Sequence, residues 1–275
     1  MKYDVPEEIR VESDGPVRIV TLNRPEIFNA VNKSLHEGFC WIWPQLERDP
    51  DARAIVLTGA GKAFSAGGDL AWQRELIERK ELHRSGMQEA RKIVKHMVEC
   101  RLPIVAAVNG PAVGFGCSVA LLCDIVLIAE NAFLMDPHVG VGLVAADGGA
   151  LAWPLMTSIL RAKEYLFLGR RIPAADAVTM GLANRVVPKG KALEEAVSVA
   201  HELAALPAQA LQDTKRALNL HLERAFSGLL EYAISAETEA MNSADHLEQV
   251  KKFLRLFANL VGGERLWQLD QSEGL

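Results

Sequence analysis

PIVAAVNGPAVGFGCSVALLCDIVLIAE, residues 103–130, is the stretch on which the fold turns. From Leu102 to Cys123 there are 22 residues without a charge, long enough to span a bilayer. Pro103, Asn109, Gly110, Pro111, Gly114 and Gly116 break that run. A spanning helix would carry these breakers in mid-membrane, so no membrane span is expected. The pattern predicts a buried strand over 103–110, a glycine turn, a buried helix over GCSVALLC and a strand over 124–130. A dinucleotide fingerprint fails, because Val119 stands at the third glycine and the motif lies mid-chain. A nucleophile elbow fails too, because Ser118 is followed by Val119 and Ala120 with no glycine.

Working outward, RIVTLNRP (18–25) and ARAIVLTGAG (52–61) read as strands, and ANRVVP as a later one. LHEGFCWIWPQLERD has helical spacing, with Pro44 as a kink or break. The charged segment after GKAFSAGGDL is helical, with a break expected near Ser85-Gly86. AFLMDPHVGVGLVAADGG (132–149) reads as a short strand and a glycine-rich loop. From Lys191 the chain is almost wholly helical, with Leu218, Leu222, Phe226, Leu229 and Ala233 as an apolar stripe suited to packing or a subunit contact. The fold class is therefore α/β, with a core over 1–200 and a helical region over 201–275.

At 275 residues, 49% apolar and 24% charged, the composition is that of an ordinary globular protein. A net charge of −5 provides no basic field for nucleic acid. Cys40, Cys100, Cys117 and Cys123 form no CxxC pair and are expected to be reduced thiols. The polar first residues show no signal peptide, so a cytoplasmic protein is expected. No metal-ligand motif is present.

Two segments share one plan. LTGAGKAFSAGGDL and AAVNGPAVGFGCSVA each run from strand through glycine loop into helix. A helix start leaves N–H groups unpaired, and glycine lets a ligand approach them. Two such donors converging on one oxygen would make an oxyanion hole.

These stretches, with NRPEIFNAVN (23–32) and YLFLGRRIPAADAVTMGLANRVVP (165–188), resemble the crotonase superfamily, the enoyl-CoA hydratase/isomerase proteins. The resemblance covers roughly residues 10–260, in the family's order and spacing. It implies a spiral of ββα units, a helical C-terminal oligomerisation region, and a homotrimer or homohexamer. It implies an acyl-CoA thioester substrate and enolate stabilisation, with coenzyme A entering as part of the substrate and no separate cofactor. By that resemblance, Gly68 and Phe115 supply the oxyanion donors, and Ala66 lies at the adenine. Asp69 and Leu70 cap and pack the following helix, and Arg24 meets the phosphates or pantetheine arm unless it is merely a surface Arg at a strand end. Lys251, Lys252 and Phe253 lie near the family's last CoA contact, in an altered pattern.

The sequence departs from the hydratase pattern at both catalytic glutamates, where Ser118 and His138 stand. Ser118 cannot act as an unaided base near neutrality; it either hydrogen-bonds water or substrate, or fills space. His138 is able to serve as acid or base. Asp147 either orients His138, acts as the base, or shapes its Gly-Gly turn. Asp124 and Asp136 read as structural. The expectation is an acyl-CoA enzyme of the hydratase/isomerase type, not hydrating by the two-glutamate route. Isomerisation or thioester hydrolysis through His138 and Asp147 is the alternative, as is a non-catalytic acyl-CoA binder.

Overall fold

The computed structural model describes residues 2–259, with side chains through Phe253. Strands β1 (Ile9–Asp14) and β2 (Val17–Leu22) form an antiparallel hairpin. Then β3 (Ala54–Gly59), β4 (Ile104–Val108), β6 (Ile125–Ala129) and β9 (Arg185–Val187) continue the sheet in parallel, in the order β1-β2-β3-β4-β6-β9. Every residue of β3 and β4 is buried, which explains their unbroken apolar runs. A second, small sheet holds β5 (Ala112–Val113), β7 (Phe133–Met135) and β8 (Ile172–Pro173).

The chain repeatedly leaves the first sheet, crosses the second and turns into a helix. It does so from β4 through β5 into α4 (Phe115–Leu121). The bridges Val31↔Gly68 and Ser65↔Ala112 mark the same crossing after β3, before α2 (Leu70–Glu78). From β6 it passes through β7 to α5 (Gly149–Met156), a helix that begins where the glycine-rich loop ends and that the sequence pattern does not announce. Helices α6 (Ile159–Leu168) and α7 (Ala174–Met180) follow.

Helix α1 (Lys33–Arg48) starts where the Asn32 side chain accepts the Leu35 N–H at 2.9 Å. It continues through Pro44 without a break. Its buried face carries Leu35, Phe39, Ile42, Trp43 and Leu46. Each is worth about 1.5–3 kcal/mol on burial, which outweighs the ~3 kcal/mol cost of an interior proline. Pro44 has no N–H for the Cys40 carbonyl one turn back, and His96 Nδ1 of α3 (Glu81–Glu99) donates to it instead at 2.7 Å.

The break expected at Ser85-Gly86 lies instead at Arg79-Lys80, between α2 and α3. A side chain at Gly86 would meet nothing within 4 Å, so this glycine costs its helix only intrinsic propensity. The break is tied by His83 Nε2, which donates to the Leu76 carbonyl at 2.7 Å.

Helix α8 (Ala192–Ala204) packs on β2, β3, β4 and β6, and α9 (Ala208–Phe226), α10 (Leu229–Ala240) and α11 (Ala244–Asn259) follow. Residue 200 thus falls inside α8. The predicted apolar stripe is split at Ser227-Gly228, where Gly228 has φ +81°. Phe226 and Ala233 are buried, whereas Leu218 and Leu229 are exposed. Asp124 is structural, as expected: its Oδ2 accepts from the Ile104 N–H and from Lys215 Nζ of α9, both at 2.7 Å. The four cysteines are buried and unpaired. Among the described residues, no helix is long and apolar enough to cross a membrane.

Candidate active site

The two glycine loops arrive side by side, stitched by Ser65. Its N–H and that of Phe64 both reach the Pro111 carbonyl, at 3.1 and 3.0 Å, and its carbonyl accepts the Val113 N–H at 2.9 Å. Its hydroxyl donates to the Asn29 carbonyl and accepts the Gly67 N–H. The loops touch at Gly67: a Cβ there would lie 3.0 Å from the Val113 carbonyl oxygen and 3.8 Å from Gly114 Cα. Gly67 and Gly114 have φ of +85° and +52°, a region that favours glycine. The next residue of each loop, Gly68 and Phe115, carries an N–H with no protein acceptor among the described residues. Phe115 opens α4, where no intrahelical partner exists.

A chain of titratable groups lies against this junction. The His138 ring approaches within 3.8 Å of where a Gly114 side chain would begin. Its Nδ1 lies 2.6 Å from Asp136 Oδ1 and its Nε2 lies 3.6 Å from Asp147 Oδ2. The Ser118 hydroxyl donates to Asp147 Oδ1 at 2.7 Å. Gly148, at φ +137°, presses its backbone against Ser118, where a Cβ would meet the Ser118 Cβ at 3.3 Å. From the helical region, Glu237 Oε2 accepts the Ala146 N–H at 3.1 Å. Ser118, Asp136 and Glu237 are all buried.

Burial opposes a charge on His138, but Asp136 and Asp147 outweigh it and hold the imidazole well above its ordinary range. Burial raises Asp147, against the pull of the His138 charge and the Ser118 hydrogen bond. Burial likewise pushes Glu237 up to about 8. A second histidine–carboxylate pair borders Phe115: His36 Nδ1 lies 2.9 Å from Glu89 Oε2, and its ring centroid is 5.7 Å from that of Phe115 and 5.2 Å from that of Trp72.

Gly68, Phe115, Ser118, His138 and Asp147 therefore meet in one place. Asp136, read as structural, turns out to be the nearer partner of His138, and the i, i+2 spacing across Pro137 was the available signal. Glu237 and the His36–Glu89 pair gave no local signal. Arg24 is not a free cation: its Nη1 donates to Asp69 Oδ2 at 2.9 Å and to the Ala30 carbonyl at 2.5 Å. Asp69 also caps α2, accepting the Ala71 N–H at 2.8 Å. Both border a groove of about 490 Å³ with Lys33 and Trp72. Ala66 donates to the Phe28 carbonyl, and Leu70 begins α2, half-buried. Lys251, Lys252 and Phe253 stand exposed on α11.

Residues 12–259 match the family model for enoyl-CoA hydratase/isomerase. The chain is 53% identical to a crystal structure of an enoyl-CoA hydratase/isomerase from Mycobacterium paratuberculosis, with a TM-score of 0.89 over 91% of this chain and 100% of that one. It is 30% identical to a short-chain-enoyl-CoA hydratase from Clostridium acetobutylicum, over 89% of this chain and 93% of that protein. A monofunctional enoyl CoA isomerase from M. smegmatis aligns with a TM-score of 0.68 at 29% identity, over 79% of this chain and 95% of that one. The two-sheet spiral, the glycine loops and these matches agree, and the chain belongs to the enoyl-CoA hydratase/isomerase family of the crotonase superfamily.

Proposed function

We propose that this enzyme moves a proton on an acyl-CoA thioester through an enolate, and does not hydrate by the two-glutamate route. The observation that carries this reading is the Ser118–Asp147–His138–Asp136 chain lying against Gly114, beside the unpaired Phe115 N–H. In this reading the Asp147 carboxylate takes a proton from carbon. The electron pair of the broken C–H bond moves onto the thioester oxygen, where the N–H groups of Gly68 and Phe115 hold it. Each donor is worth about 3 kcal/mol at such a site. The same carboxylate returns the proton to a different carbon, so atoms balance without another reactant. His138, held as imidazolium by Asp136, keeps a positive charge beside Asp147 and stabilises its ionised form.

Hydration through paired carboxylates would need them where Ser118 and His138 stand. The groove by Arg24, Asp69 and Trp72 supports binding of the coenzyme A portion, with Arg24 aligned by Asp69. Exposed Leu155, Ile159, Leu160, Phe167 and Leu168 on α5 and α6 support a subunit contact, as a homotrimer or homohexamer would need. We assign the helical region beyond residue 200 to the same assembly and the chain to the cytoplasm.

The test is incubation of a panel of CoA thioesters in D2O, followed by chromatography and mass spectrometry. The wild type converts a thioester to its double-bond isomer, with deuterium wherever the carboxyl proton exchanges before its return, and His138→Ala lowers that rate by about 10²–10⁴ while thioester binding persists. Tight binding with neither a new isomer nor deuterium uptake from any thioester would make the protein a binder. Water addition at the pace of two-glutamate enzymes would refute the scheme.

A further inference from the structure

The buried cluster holds one basic group, His138, and three carboxyl groups, Asp136, Asp147 and Glu237. All four ionised would leave a net charge of two negatives away from water, which burial penalises heavily. One carboxyl group must keep a proton. Asp136 is not that group, because its Oδ1 lies 2.6 Å from the cationic His138 and also accepts the His138 N–H. Asp147 and Glu237 remain. They come from separate elements and are joined by the backbone, since Glu237 Oε2 accepts the N–H of Ala146, the residue just before Asp147.

We propose that Glu237 is a positioning residue acting through Asp147: its Oε2 fixes the Ala146–Asp147 segment, and the two carboxyl groups share one proton, resident on Glu237 while Asp147 is ionised. The role of Asp147 as base rests on the function proposed above; the shared proton does not.

Other titratable groups near α10 have partners or stand in water. His83 of α3 is bonded to the Leu76 carbonyl, and His246 of α11 has its Nδ1 on the Val141 carbonyl. Lys215 of α9 is paired with Asp124, and Glu231 on α10 is exposed and paired with Arg91 of α3. Glu239 is exposed, and α5 contains no titratable residue. With one carboxyl group protonated, the cluster keeps a single net negative charge, and His36 is a further basic group acting on Asp147. Burial, helped by the negative charge of Asp147, pushes Glu237 up to about 8 against the pull of His138. Between the ordinary carboxylate range and about 8, the native chain holds a proton that the unfolded chain has released. Stability therefore falls as pH rises across that window.

Histidine NMR on the full chain tests this. In the wild type, the His138 ring resonances, assigned by their loss in His138→Gln, pass through a step at about 8 as Glu237 ionises. In Glu237→Gln, which is isosteric and cannot ionise, that step is absent. A step that persists in Glu237→Gln, or no step in the wild type, overturns the shared proton. Should Glu237→Gln fail to melt cooperatively, Glu237→Met takes its place with the same two outcomes. For positioning, Glu237→Met removes the acceptor for Ala146, and kcat is expected to fall on the order of tenfold with KM within about twofold. An unchanged kcat overturns that role. The NMR step needs no turnover, so finding no responsive thioester counts against the proposed reaction and not against the shared proton.

Discussion

Ser118→Ala separates a serine that supports a carboxylate from one that fills space. Ser118 is 1% exposed, and its hydroxyl donates to Asp147 Oδ1 at 2.7 Å. Alanine keeps the Cβ packed against Gly148 and removes only the oxygen. A hydrogen bond to an ionised acceptor is worth about 1.5–3 kcal/mol. The bond favours ionised Asp147, so its loss moves that carboxyl further up. At 1.36 kcal/mol per pH unit, the acid limb of kcat/KM should move up by about 1–2 units. The assay is kcat/KM against pH for a responsive thioester, with urea unfolding at neutral pH beside it. Stability should fall by no more than about 3 kcal/mol, and activity should recover at higher pH. An unmoved acid limb with unchanged stability would show that the hydroxyl does nothing for Asp147. Loss of activity at every pH would show that Ser118 takes part in the reaction itself.

Two further substitutions probe the frame around the site. Gly67→Ala places a Cβ 3.0 Å from the Val113 carbonyl oxygen at a φ of +85°. It should cost about 1–2 kcal/mol in urea unfolding. By pushing the loops apart it should also lower kcat by about 10²-fold, the order of one lost oxyanion donor, and full turnover would refute the two-loop hole. Asp49 is buried against Arg18 Nε at 2.7 Å and also accepts from Tyr3. Asp49→Asn should cost about 3–5 kcal/mol in the same experiment, because Arg18 keeps a buried charge. Burial alone would raise Asp49, but the hydrogen bonds of Arg18 and Tyr3 bring it to about 2. Its contribution is thus present above the ordinary carboxylate range and lost as pH falls through about 2, and the acid unfolding of the variant should lack that component.

The architecture was legible where burial is two-sided. Strands β3 and β4 lie wholly inside, so their apolar runs and closing glycines announce both strand and turn. Gly68 and Phe115 follow such turns, but their roles, like those of Ser118, His138 and Asp147, came from the family resemblance of the surrounding stretches. Other features depend on partners far away in sequence. Arg24 looked free until Asp69, 45 residues on, folded against it. Glu237 reaches Ala146 across 91 residues, and nothing in LLEYAISAETEA distinguishes it from a solvent-facing glutamate. Helix α5 was missed because Gly148-Gly149 and Pro154 look like loop, although tertiary burial of Leu151 and Trp153 decides the matter. The α2–α3 break was misplaced because a glycine facing open space does not interrupt a helix.

The proline in α1 has a further consequence. By withholding one N–H, Pro44 makes a carbonyl available to a neighbouring helix, and His96 is anchored there. One turn earlier on α1, His36 meets Glu89, which precedes His96 by two turns on α3. The two helices are therefore pinned at two points and cannot slide along each other without breaking both. Replacing Pro44 by alanine would mend the helix and unfasten the wall that holds His36 beside Phe115. The local defect works as an alignment key: a better α1 taken alone would be a poorer side to the site.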